Sequence, residues 1–277
     1  RYNSMQKVDR FNFSQFYVED GYKELLLPAD KNGSYQIEKN ALHIWPRGRF
    51  MLIALPNEDG SFTCTLFMPY ENHEYAFNDL NSDKKIDKFF KNVFPDFYEM
   101  MPNLIENWHQ NPLSSMSITR CYPWSIGKFA LLGDSAHSTV PFYGQGMNAG
   151  FEDCFVMWEL FKKYGKWDKT FDEYQKIRKP DGDALQDLSL DNYYVMRDHV
   201  ADKNFLLQKK IEAKVHENHP EKWIPLYSQV SFSNIRYSKA YENGKKQEQI
   251  MKEIMKIPNI EKLWNSSEIE NKILSML

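Results

Sequence analysis

Aromatic and apolar residues fall near every second position over residues 11–18 (FNFSQFYV), the spacing of a strand with two unlike faces. After a turn spanning Pro28 to Gly33, apolar runs of strand length recur at 41–45 and 50–55. Asn57-Glu58-Asp59-Gly60 then separates Met51–Leu55 from Phe62–Phe67, and an Asp-Gly between two strand-like runs predicts a hairpin. Residues 10–70 are therefore expected to form an antiparallel sheet with an alternating face rich in Leu, Ile, Met and Phe. The period turns helical over 82–92 (SDKKIDKFFKN), which opens on a Ser/Asp cap. A short helix is expected around Phe97–Trp108 and a strand at 115–122. Phe129-Ala130-Leu131-Leu132, ending in Gly133-Asp134, reads as a buried, central strand.

From Gly146 onward the pattern is helical. Phe151, Phe155, Val156, Trp158 and Leu160 predict a buried helix, followed by a break at Trp167–Thr170 and a long helical stretch to about His199. Pro180 and Gly182 are expected to kink or split that stretch, because proline lacks an amide hydrogen and its ring crowds the preceding turn. Residues 203–216 are helical by spacing. The remainder to Leu277 reads mostly as helices around a Pro-containing loop at 220–225.

Composition narrows the classes. Of 277 residues, 42% are hydrophobic, 15% aromatic and 26% charged, which is globular. Lys and Arg number 35 against 38 Asp and Glu, so no basic face for nucleic acid is expected. Cys64, Cys121 and Cys154 follow neither metal nor disulfide spacing, which fits a reducing compartment. No run approaches the length of a membrane span. These features predict a soluble, cytoplasmic protein with no nucleic-acid or metal partner. Arg1-Tyr2-Asn3-Ser4 is neither a signal peptide nor an initiator start, and predicts a longer parent chain.

Residues 133–153 (GDSAHSTVPFYGQGMNAGFED) lie between a predicted strand and a predicted helix. Gly144, Gly146, Gly150 and Pro141 make a loop whose backbone can approach a ligand closely. The helix after Gly146 would offer free N–H groups and a positive dipole end to an anion, or to a ring that becomes anionic. Asp134, at the carboxyl end of the strand, is placed to accept hydrogen bonds from sugar-like hydroxyls. From the residues alone, the same segment is also a strand–loop–helix turn whose glycines serve packing. Gly133-Asp134-Ser135 with His137 superficially resembles an esterase nucleophile block, but a His two residues along is not the usual base. His216 with His219, and Glu71 with His73 and Glu74, gather possible metal ligands without the Cys or further carboxylates of a site.

The run from Gly133 to Asp153 resembles the GD motif of the FAD-dependent aromatic hydroxylases, the single-component flavoprotein monooxygenases. Their pattern is G-D-A-A-H-x-x-x-P-x-x-G-x-G-x-N-x-G-x-x-D, and Ser135 stands here for an Ala. Gly21–Leu25, Ala41–Asn57, Ser61–Pro69 and Ile224–Ala240 are similar to the kynurenine-hydroxylating branch of that family, and the likeness runs from Arg1 to about Gln247. The resemblance implies an α/β (α+β), p-hydroxybenzoate hydroxylase-like fold in part. Residues 1–10 would end an FAD-domain segment, 11–110 form the substrate-binding sheet domain, 111–200 the FAD-domain part with the GD motif, and 201–277 a C-terminal helical domain.

The same resemblance implies FAD as cofactor, NADPH as reductant, and O2 and L-kynurenine as substrates. Asp134, Pro141, Gly144, Gly146, Met147 and Asn148 would hold the flavin. Leu42, Met51, Ile53, Leu55 and Phe67 would face the substrate ring, although alternating apolar residues in a sheet also read as plain core. Pro141, Phe142, Tyr143, Gln145, Asn192 and Tyr227 would complete the substrate site, where the family often has His at the place of Tyr143. The implied reaction makes 3-hydroxykynurenine through a flavin C4a-hydroperoxide, with no side chain assigned as acid or base.

The family opens with a βαβ unit bearing G-x-G-x-x-G, and no such fingerprint occurs in residues 1–277. Arg1 resembles the last residue of the family's D-G motif. Activity is thus expected only with an N-terminal FAD-binding segment, in cis or as a second chain. A hydroxylase of another aromatic substrate, or a non-catalytic fragment needing a dinucleotide-binding partner, are the alternatives.

Overall fold

The computed structural model describes residues 9–200 and 202–277. The expectations for the first eight residues, including the resemblance at Arg1, lie outside them. The chain divides into two compact units. One is Tyr17–Met116 with Met196–Asp198, and the other holds the chain up to Phe16 with Ser117–Val195 and His199–Leu277.

A five-stranded sheet has the order β2-β3-β4-β1-β5, formed by β1 (Asn12–Leu27), β2 (His43–Pro46), β3 (Met51–Pro56), β4 (Phe62–Pro69) and β5 (Leu113–Tyr122). The pairs β1–β4, β2–β3 and β3–β4 are antiparallel, as the alternation predicts. The β3–β4 turn needs glycine on two counts. Gly60 has φ +87°, and a Cβ there would lie 2.7 Å from the Gly33 carbonyl oxygen.

Side chains alternate across a strand, so the register sorts the sheet into two faces. Leu25, Leu27, Leu52, Ala54, Phe62, Cys64, Leu66 and Met68 take one face, and pack with Phe89, Phe90, Phe94, Phe97, Leu104 and Trp108. Those partners come from α1 (Asp83–Val93), α2 (Pro95–Met100), α3 (Leu104–Gln110) and the joint between α1 and α2. Each large apolar side chain buried this way contributes roughly 1.5–3 kcal/mol, which makes this cluster the main stabiliser of the unit. The single helix expected over 97–108 is two helices. Pro102 lies between them and disfavours helical backbone at Met101. Ser82 does stand at the N-cap of α1, but its side chain makes no capping bond.

The second unit contains β6 (Ser125–Ile126), β7 (Phe129–Ala130), α4 (Asp134–His137), α5 (Gly146–Tyr164), α6 (Trp167–Tyr194), α7 (Lys203–Asn218), α8 (Leu226–Ser231), α9 (Tyr237–Ile254), α10 (Ile260–Leu263) and α11 (Ser267–Met276). Four expectations are corrected here. The segment 129–132 is not a buried central strand: two residues pair with β6 in a two-stranded ribbon, and Phe129 is exposed. Helix α5 forms, but Phe151, Phe155 and Trp158 are exposed, because Ala149, Asp153 and Leu160 occupy its inner face. Pro180 does not split α6, which runs unbroken to Tyr194, and the break before α6 falls at Gly165, ahead of Trp167. Near Pro180 the helix is held by buried Arg178 and Asp181.

The C-terminal helices share a core of Ile211, Val215, Trp223, Ile250, Met251, Ile254, Ile260, Ile269 and Ile273. His216 and His219 sit beside it, bonded to the Trp223 carbonyl at 2.7 Å and to Glu270 at 2.6 Å. Among the described residues, no helix is long and apolar enough to cross a membrane.

Candidate functional site

The GD segment is built around one buried carboxylate. Asp153, on the inner face of α5, is fully buried. Its Oδ2 accepts the Gly133 N–H at 3.0 Å and faces His137 Nε2 at 2.6 Å, while its Oδ1 accepts Arg178 Nε at 2.7 Å. A carboxylate can only accept, so Nε2 carries the proton. Burial alone would raise the Asp153 carboxyl, but the bonds from His137, Arg178 and the Gly133 amide outweigh it and hold the group below its ordinary value. Arg178 is also paired with Glu152 and Asp181, and Asp181 in turn with Arg236.

This network fixes the turn that carries Asp134. Gly133 has φ +51°, a region that disfavours a side chain. A Cβ there would sit 3.7 Å from Gly150 Cα, an ordinary contact, so the backbone angle rather than space calls for glycine. Asp134 itself is exposed and opens the four-residue α4 rather than ending a strand.

The loop after α4 turns outward. Pro141 and Gly144 are exposed, Gly144 has φ +65°, and nothing stands within 4 Å of a Cβ placed on it. Helix α5 then starts at Gly146 with no side-chain cap on its first turn. Met147 and Asn148 are exposed, and Gly146 is half-buried. Uncapped amides, a positive dipole end and an exposed carboxylate on one short segment suit the ribityl and ring end of a flavin. The pyrophosphate end has no glycine fingerprint to meet it.

The expected substrate residues of this unit lie in a connected set. Tyr143 and Tyr227 stack with centroids 5.4 Å apart, and Asn192 Nδ2 donates to the Phe142 carbonyl at 2.7 Å. Gln145 Oε1 takes bonds from Asn148 at 3.0 Å and from the Tyr237 hydroxyl at 3.1 Å. Burial pushes the Tyr143 phenol up, and burial with the Glu152 charge lifts Tyr237 to about 12, so both stay neutral donors at ordinary pH.

In the sheet unit, Met51, Ile53 and Leu55 pair with Phe67, Thr65 and Thr63. They lie on the face opposite the aromatic core, with Tyr22 across from Phe67 at 6.1 Å. Met51 and Phe67 are buried, Ile53 is half-buried and Leu55 is exposed. Leu42 is also exposed, but precedes β2 instead of lying in a strand.

Arg178, Asp181 and Tyr237 had no role in the sequence reading. Arg178 lies 25 positions beyond Asp153 on another helix, and no local spacing signals that pair.

The family described as FAD binding domain matches residues 37–189. The chain is 51% identical over 275 residues to a protein named kynurenine 3-monooxygenase from Flavobacterium psychrophilum, covering 99% of this chain and 61% of that protein. It is 50% identical to a protein of the same name from Christiangramia forsetii, over 99% of this chain and 62% of that one. A Dictyostelium discoideum protein of that name is 44% identical, with 91% and 58% covered. The chain thus spans about three-fifths of the length of these curated relatives. Among solved structures, the tetrameric form of 2-methyl-3-hydroxypyridine-5-carboxylic acid oxygenase superposes with TM-score 0.56 at 20% identity, covering 72% of this chain and 53% of that one, a likeness of fold. The uncapped start of α5, the outward GD loop and a family match across more than half of the residues lead to one assignment: the chain belongs to the FAD-binding-domain family.

Proposed function

We propose that this chain supplies the flavin-ring and substrate-binding part of an enzyme that hydroxylates L-kynurenine to 3-hydroxykynurenine, with FAD as cofactor and NADPH and O2 consumed. The reading is carried by the outward-facing GD segment, Asp134 to Asn148, in a chain 51% identical to a protein named for that reaction.

FAD, when bound, accepts hydride from NADPH and activates dioxygen for transfer to the ring. Asp134 accepts hydrogen bonds from the ribityl hydroxyls, and Pro141 and Gly144 line the approach. The amides of Gly146, Met147 and Asn148 favour negative charge at the pyrimidine edge, through fixed dipoles that need no mobile counter-ion. Leu42, Met51, Ile53, Leu55 and Phe67 give the substrate ring an apolar, water-poor wall. In the other unit, Phe142, Tyr143, Gln145, Asn192 and Tyr227 are the residues that the family resemblance assigns to substrate binding. No protein base is required, because the substrate's aniline nitrogen releases electrons into the ring. In this reading residues 11–110 carry the substrate sheet, 111–200 the GD part of the flavin site, and 201–277 a helical cap.

The test is to co-express this chain with the part of the Flavobacterium psychrophilum relative that it does not span. The assembly then receives FAD, NADPH, air and L-kynurenine. Chromatography should find 3-hydroxykynurenine, and none when either polypeptide is omitted. Oxygenation of another aromatic ring, with L-kynurenine left unchanged, would replace the substrate in this reading. Absence of any oxygenated product would end it.

A further inference from the structure

Tyr237 is held in place by the residues on either side of it. Arg236 and Ser238 both bond to Asp181, a carboxylate on α6 that is 1% exposed. Arg236 Nε donates to Oδ2 at 3.0 Å, and the Ser238 amide and hydroxyl donate to Oδ1 at 3.1 and 2.7 Å. Arg236 Nη2 also donates to the Ile177 carbonyl at 2.6 Å. The start of α9 is thereby pinned to α6 on both flanks of Tyr237. The Tyr237 ring is buried in a cluster with Tyr143, Leu185 and Ala240, and its hydroxyl donates to Gln145 Oε1 at 3.1 Å. A glutamine amide has one acceptor atom and one donor atom, and a half-turn exchanges them. Here Oε1 is taken twice, by the Tyr237 hydroxyl and by Asn148 Nδ2 at 3.0 Å. Nε2 makes no hydrogen bond among the described residues. The half-turned amide would set Nε2 against Asn148 Nδ2, donor facing donor. Burial and the Glu152 charge keep the Tyr237 phenol protonated at ordinary pH, so it always has a proton to give.

We propose that Tyr237 is a positioning residue that locks the Gln145 amide with Nε2 as its free donor, so that this place in the site selects a substrate offering a hydrogen-bond acceptor. This rests on the substrate reading above and deepens it. L-Kynurenine carries a ketone between its ring and its amino-acid end, and a ketone oxygen can only accept. Its aniline nitrogen shares its lone pair with the ring, so it donates well and accepts poorly. A fixed N–H at Gln145 therefore matches the ketone and not the aniline. An amide free to turn would pair with either group and discriminate little. A fixed one discriminates, because a ligand without the acceptor leaves the buried N–H unpaired. Tyr237 acts in this through Gln145 and touches no reacting atom. Its own place is set by Asp181, which links the selectivity of the site to the clamp between α6 and α9.

The first test needs this chain alone. Isotope-labelled glutamine in the full 277-residue chain reports the Gln145 amide by magnetic resonance. The variants are Tyr237→Phe and, as a control on the same helix, Tyr241→Phe, each checked for native circular dichroism. The lock predicts that Tyr237→Phe moves the Gln145 Cδ resonance upfield and that Tyr241→Phe does not. It also predicts that the Nε2 protons exchange with water as freely in the native chain as in either variant. Protected Nε2 protons that are released in Tyr237→Phe, or a Cδ resonance that stays in place, would overturn the inference. The second test uses the assembly with the unspanned part of the Flavobacterium psychrophilum relative, supplied with FAD, NADPH and air. It compares the KM for L-kynurenine with the inhibition constant of an analogue in which a methylene replaces the ketone. Tyr237→Phe should raise that KM by roughly three- to tenfold, while kcat and the inhibition constant stay unchanged. Equal changes in KM and inhibition constant would leave Tyr237 a structural role only and would also overturn it. An assembly that makes no oxygenated product would end the substrate reading, and the Gln145 resonances would still decide whether Tyr237 fixes the amide.

Discussion

Asp153 accepts three hydrogen bonds in a site that water does not reach, and this sets what its removal does. Asp153→Asn removes the carboxylate bonded to Arg178 Nε and leaves the buried guanidinium with Glu152 at 2.7 Å and Asp181 at 3.4 Å as its remaining counter-charges. Breaking a buried pair this way costs about 3–5 kcal/mol, which urea denaturation would register as a lower midpoint at unchanged slope. The pH dependence has a definite sign. The folded-state carboxyl is held below its ordinary value, so its stabilisation is fully present above about pH 4 and is lost as pH falls through the lower folded value. Melting temperatures taken from pH 6 down to pH 3 should fall in the native chain, and fall less steeply in Asp153→Asn. At this scale the sequence was informative about local backbone, as at Gly144, expected in a loop and found there with φ +65°. It was silent where the partner comes from another helix, as at Arg178.

Strand β3 shows how two faces of one element differ in consequence. Leu52 is fully buried against the aromatic core, while Leu55 is exposed on the opposite face. Leu52→Ala should cost about 2–5 kcal/mol in denaturation, whereas Leu55→Ala should stay within roughly 0.5 kcal/mol. If the open face is the substrate wall, Leu55→Ala nevertheless raises KM for L-kynurenine in the assembled enzyme. Helix α6 gives a sharper case. Gly182→Ala gains about 1 kcal/mol of helix propensity, but its Cβ would lie 3.0 Å from a Trp124 ring carbon and 3.1 Å from His137. Both neighbours are buried, so overpacking of about 1–3 kcal/mol should win and lower the melting temperature. Periodicity located α5 and the β3–β4 hairpin from the chain alone, because it reports which residues share a face. It cannot report whether that face is covered, which is why Phe151, Phe155 and Trp158 read as buried and are exposed. The same holds for 129–132: an apolar run predicts a buried strand, but a strand is central only when others flank it, and Phe129–Ala130 pairs with β6 alone among the described residues.

At the scale of the whole chain, the order of a sheet, a GD segment and trailing helices was legible, because each has its own period and the GD run has a specific spacing. The division into two units was less so, since Met196–Asp198 belongs with the sheet although its neighbours in sequence do not. Thiol chemistry samples both units at once. Burial pushes the Cys64 thiol up to about 12, Cys121 is also buried, and Cys154 is exposed on α5. An aromatic disulfide reagent should therefore label one cysteine quickly in the native chain and all three in denaturant. Rapid labelling of Cys64 or Cys121 would contradict the packing described.

The measurement that bears most directly on the account is the visible absorption spectrum of this chain assembled with the complementary part of a curated relative, titrated with FAD. The account predicts a retained, protein-perturbed flavin spectrum. It also predicts that Asp134→Ala weakens FAD binding by roughly 10- to 100-fold, the loss of a charge-assisted hydrogen bond worth about 1.5–3 kcal/mol. An assembly that forms but leaves FAD free in solution, or that binds it equally well without the Asp134 carboxylate, would contradict the flavin site placed here.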